Sequence, residues 1–137
     1  MHRITRFTAA AAIALALGLV APSVFAPSAF AQGATPAKTG QSAGGPVLTD
    51  SKGMTLYVFD RDAGGKSACN GQCATNWPPL MAPAGAKAMG DYSVVTRDDG
   101  TMQWAYKGKP LYGWAKDGKP GDTTGDGVNN VWHVARP

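Results

Sequence analysis

The chain carries one pattern twice. Lys52-Gly53-x-x-Leu56-Tyr57-x-Phe59-x-x-Asp62 returns as Lys107-Gly108-x-x-Leu111-Tyr112-x-Trp114-x-x-Asp117, 55 positions later. The same offset places Trp77 on Trp132 without a gap. An internal repeat constrains architecture before any local reading, because each copy is a unit that buries its apolar side against a neighbour. The two copies span about 52–80 and 107–135.

The first 31 residues read as a secretory signal peptide. His2, Arg3 and Arg6 make a basic start, Phe7 to Val20 is apolar, and Ala29-Phe30-Ala31 offers small residues for cleavage, with Ala26 as a second cut. The apolar run falls short of the roughly 20 residues of a membrane span. No cysteine at the cut accepts a lipid, so no membrane insertion is expected after cleavage. Residues 32–45 (QGATPAKTGQSAGG) lack any large apolar side chain and read as a flexible tether. Residues 46–137 remain for one domain with one modest core. Cleavage removes Arg3 and Arg6 from the thirteen Lys and Arg, leaving eleven against nine Asp, a net of +2. The lysines are scattered, which argues against nucleic acid or an anionic membrane as partner. A periplasmic or secreted protein is expected.

All nine acids are aspartate, and with 18 glycines and 10 prolines the composition suits turns and strands rather than helices. Val47–Thr49, Thr55–Phe59, Ser93–Arg97, Met102–Tyr106, Pro110–Trp114 and Val131–Ala135 read as strands. Asp98-Asp99-Gly100 reads as a hairpin turn, because glycine takes a positive φ at no steric cost. A short helical turn fits around Cys73. Long loops, Asp60–Asn76 and Lys116–Asn130, fall at equivalent places in the two copies. The expected class is all-β: a small antiparallel sandwich or two packed meanders related by a pseudo-two-fold.

Both copies match Tyr-x-[Phe/Trp/Tyr]-x-x-Asp. With the Cys69-x-x-x-Cys73 loop, Asn76-Trp77-Pro78-Pro79-Leu80 and the closing Gly127-Val128-x-x-Val131-Trp132-His133-Val134, the chain resembles a bacterial family of secreted or lipoprotein repeats of unknown function. The likeness covers 46–137 and implies location and architecture. It transfers no catalytic residue.

Two readings of the repeated motif stand. Tyr57 and Phe59, like Tyr112 and Trp114, lie two apart on a strand and face one side. The rings then form core while Asp62 and Asp117 lock the following loops or bond a tyrosine hydroxyl. Alternatively the two motifs, with Trp77 and Trp132, make a paired aromatic–acidic binding site. Cys69 and Cys73, the only cysteines of an exported chain, are expected to be joined to each other. His133 lies between Trp132 and Val134 and points away from both, with no partner evident. It is a weak metal candidate, as are Asp122 and Asp126 in a stretch that starts like a calcium loop but has His133 where a bidentate glutamate belongs. Copper ligation with Met54, Met81, Met89 or Met102 lacks any Met-x-x-Met clustering. No cofactor is implied.

Three function classes follow. The first is a non-catalytic module that binds an envelope protein or small ligand, or is structural. The second is a redox or copper-handling protein built on Cys69, Cys73, His133 and the methionines. The third is a hydrolase using Asp62 and Asp117 as a carboxylate pair, which needs the two groups roughly 5–10 Å apart. The absence of a nucleophile or acid–base constellation favours the first.

Overall fold

The computed structural model describes residues 35–137 together with Gly18; apart from that glycine, the expected signal peptide lies outside the described residues. Short antiparallel strands dominate, as expected of the all-β class. In chain order they are β1 (Lys38–Ser42), β2 (Gly45–Thr49), β3 (Tyr57–Phe59), β4 (Met81–Ala82), β5 (Tyr92–Thr96), β6 (Met102–Tyr106), β7 (Lys109–Pro110) and β8 (Trp132–Val134). A short helix, α1 (Gln72–Asn76), falls at Cys73, and a single 3-10 turn, Val128–Asn130, takes nearly its place in the second copy. β1 pairs with β2, β3 with β8, and β6 with β4, β5 and β7.

The final strand of each repeat lies in the sheet of the other. β8, from the second copy, runs beside β3 of the first with His133 opposite Val58, and Leu48 N–H donates to the Ala135 carbonyl at 2.8 Å. Reciprocally, β4 pairs with β6, and Leu80 N–H donates to Leu111 at 2.9 Å. Between these exchanges Tyr57 and Tyr112 trade both backbone hydrogen bonds, at 2.7 and 2.9 Å. That doubly bonded pair marks the pseudo-two-fold.

The symmetry slips once. Leu48 accepts from Leu56 N–H, whereas Trp104 accepts from Leu111 N–H, both at 2.9 Å. Trp104 lies one position past the repeat offset from Leu48. The first hairpin turns through Ala43-Gly44 and the second through Asp98-Asp99-Gly100, which absorbs the extra residue. Gly100 there has φ 85°, as its place in the turn predicts.

The tether expected over 32–45 needs correcting, because Lys38–Ser42 is strand β1. Its side chains are exposed or half-exposed, so it has little to bury on its own account. Its partner β2 supplies the apolar side, with Val47, Leu48 and Thr49 all buried. A strand laid on a neighbour that already packs needs only backbone bonds and small side chains. Ala37 anchors it, buried with Leu48, Leu56, Leu111 and Ala135. The folded body therefore starts before Pro46.

A second buried cluster joins Val47, Tyr57, Cys69, Trp77, Tyr112, Trp132 and Val134. The residues of the repeated motif thus sit at the centre of the molecule.

Candidate functional site

Strands β3 and β8 bring the aromatic residues of both copies into one column. Phe59 stacks on Trp132 (centroids 4.2 Å apart), Trp132 on Trp77 (3.8 Å, 3° between planes) and Trp77 on Trp114 (3.8 Å). Each step outward from the Trp77–Trp132 pair joins a ring of one copy to a ring of the other. Tyr57 and Tyr112 meet Trp77 and Trp132 edge-on, at 5.4 and 5.1 Å. The edge contacts are an arrangement aromatic quadrupoles favour, while the stacks bury ring face against ring face. Gly125 closes the column: a Cβ there would fall 2.8 Å from Trp77 Cη2 and 3.0 Å from Trp114 Cγ.

The tyrosine hydroxyls cross the pseudo-two-fold to reach acids. Tyr57 O–H donates to Asp117 Oδ2 at 2.6 Å, and Tyr112 O–H to Asp62 Oδ2 at 2.7 Å. The second oxygen of each acid holds the loop that follows it. Asp62 Oδ1 accepts Ala68 N–H at 2.7 Å, and Asp117 Oδ1 accepts the Thr124 hydroxyl at 2.6 Å and its N–H at 3.1 Å. Both functions expected for these aspartates, locking a loop and bonding a tyrosine, are performed at once. Burial pushes the Asp62 carboxyl above its ordinary value, opposed by the Ala68 and Tyr112 bonds. Burial also drives both phenols well above theirs, helped by the carboxylate each faces.

One arm continues further. Ser67 Oγ lies 2.6 Å from the Tyr112 hydroxyl and accepts from Arg97 Nη1 at 2.9 Å. Since Tyr112 gives its proton to Asp62, Ser67 donates to Tyr112, and the bonds run head to tail from guanidinium to carboxylate. Arg97 is 5% exposed and also donates to Gln103 Oε1 (2.8 Å) and the Cys69 carbonyl (2.6 Å). Gln103 Nε2 in turn donates to Leu111. Sequence reasoning missed Arg97, Ser67 and Gln103. The signal for Arg97 was the period of two in β5: Val95 is buried and Thr96 exposed, so the next position turns inward.

The remaining expected residues lie apart from this centre or at its edge. Cys69 and Cys73 form the disulfide, and Cys73 packs against the aromatic cluster. His133 does have a partner: its Nε2 lies 2.7 Å from Asp60 Oδ2, on the surface. Asp122 Oδ2 accepts the N–H groups of Gly118 and Lys119, and Asp126 Oδ1 accepts that of Val134. Both thus serve as turn and strand-end acceptors. Met81 and Met89 are exposed, while Met102 Sδ accepts the Thr96 hydroxyl at 3.4 Å. Among the described residues no three His, Cys or acidic side chains gather into a metal-binding group, and no helix is long and apolar enough to cross a membrane.

One family model matches the chain twice, over residues 38–81 and 93–136, and is described as a secreted repeat of unknown function. Each match includes its copy's opening hairpin as well as the motif. No curated protein and no solved structure matches.

Proposed function

We propose, from the premise that this chain belongs to that family of secreted repeats, that it is a non-catalytic module acting in the periplasm or beyond. In this reading the repeated motif is framework, and the loops and clefts around it meet a small ligand or another envelope protein. The observation that carries it is the crossed pairing. Both oxygens of Asp62 and of Asp117 are engaged, by a tyrosine of the other copy and by the following loop. An acid–base pair for hydrolysis needs a carboxylate oxygen available to substrate and water, and all four oxygens of these two are bonded within the protein.

The test is the double variant Asp62→Asn, Asp117→Asn. Each amide keeps one acceptor oxygen but removes the charge from two hydrogen bonds at Asp62 and three at Asp117, which costs about 2 kcal/mol per site. We expect the denaturant midpoint to fall by the equivalent of about 4 kcal/mol. Crosslinks to envelope partners should survive wherever the variant is folded. Crosslinks lost from a folded variant would make the acids contact residues. A turnover that disappears with them would install the hydrolase in its place.

A further inference from the structure

Duplication gives the molecule two clefts at equivalent positions, and they differ in chemistry. One, of about 340 Å3, runs between β8 and the turn joining β6 to β7; the other, about 270 Å3, lies between Pro78–Leu80 and the turn after β2. Lys52 and Lys107, Met54 and Lys109, Pro78 and His133 occupy matching places in the two walls, each pair one repeat offset apart.

The cleft in the first copy holds one lysine, Lys52, against two carboxylates, Asp50 and Asp117. The cleft in the second holds three fixed cations, Lys107, Lys109 and Arg136, against the single carboxylate of Asp60. That carboxylate is itself engaged by His133 at 2.7 Å. The floor is apolar, from Val58, Val134 and Ala135. Arg136 is held in place, its Nη1 donating to the Gly44 and Pro46 carbonyls. Lys107 Nζ lies 5.2 Å over the Tyr106 ring.

The first copy builds the same backbone with a methionine and a proline where the second has Lys109 and His133. The scaffold therefore does not require those groups, and the gathered positive charge at an apolar floor needs another account. We propose that the His133 cleft binds a small organic anion with an apolar body. The cations would meet the head group through charge-assisted hydrogen bonds, and the valines would cover the tail. This rests on the reading of the chain as a binding module and names its ligand class. Neither Asp62 nor Asp117 lines this cleft, so the two tests fail independently.

The experiment titrates the full secreted chain with three probes that share a tail: hexanoate, hexyl phosphate and hexanol. Backbone resonances from Tyr106 to Lys109 and at His133 report binding. Either anion should shift them saturably while hexanol does not, and comparing the two identifies the preferred head group. Lys109→Met places in the second cleft the residue the first already carries, and should weaken the anion about tenfold. Asp60→Asn should tighten it, a gain that misfolding does not mimic. Added salt should weaken it, since the cleft is open to solvent. Saturable binding of hexanol equal to that of the anions, no saturable shift with either anion, or unchanged affinity in Lys109→Met would overturn the assignment.

Discussion

Trp77→Ala is expected to remove about 5 kcal/mol of stability. Truncating a buried tryptophan costs roughly 3–5 kcal/mol in transfer and cavity terms, and each lost aromatic contact adds about 0.5–1.5 kcal/mol. Trp77 is 4% exposed and touches Trp114, Trp132 and Tyr57. A domain of this size has only about 5–15 kcal/mol in hand, so the variant sits at or near the edge of folding. Because Trp132 holds the equivalent place, Trp132→Ala should cost the same within about 1 kcal/mol. Denaturant unfolding of both variants checks the pair. A loss below about 1 kcal/mol for either would mean that the column does not organise the core.

The second large effect is alkaline unfolding. Phenols of the unfolded chain ionise near pH 10. In the fold, burial first and the facing carboxylates next hold the protons of Tyr57 and Tyr112 beyond that point. Above about pH 10 the folded state then binds more protons than the unfolded one, so stability falls as pH rises. Each tyrosine contributes a slope approaching about 1.4 kcal/mol per pH unit. The loss is absent below pH 10 and, for the two together, reaches about 5 kcal/mol near pH 12. In a Tyr92→Phe, Tyr106→Phe background, which removes the two half-exposed phenols, circular dichroism and tyrosinate absorbance should change together, because Tyr57 and Tyr112 ionise only on unfolding. Tyr57→Phe, Tyr112→Phe should flatten the slope while lowering stability at neutral pH. Tyrosinate appearing near pH 10 in that background while the chain remains folded would contradict the buried, carboxylate-bound phenols of Tyr57 and Tyr112.

What the sequence disclosed and what it concealed divide along a physical line. The repeat offset, the pairing of Trp77 with Trp132 and the β class rest on residue identity and composition, which a sequence displays directly. The inward Trp132 and Val134 and outward His133 follow from period two, and the burial pattern of β8 agrees. Strand β1 was hidden because its side chains carry little of its stability; β2 and Ala37 carry it instead. The Arg97–Ser67–Tyr112 chain and the Asp60–His133 contact join residues 30, 45 and 73 positions apart. No local pattern announces such partners. The exchange of final strands was hidden for the same reason, since each strand reads identically whichever sheet receives it.

That exchange means this kind of fold counts in twos. A polypeptide with one copy would have a phenol lacking its acid, and a sheet edge awaiting a strand that its own tail offers elsewhere. A second molecule of the same chain supplies both through a true dyad, so a lone copy should occur as a homodimer. Lengthening such a protein should proceed by pairs, with any odd member left to recruit its complement from outside.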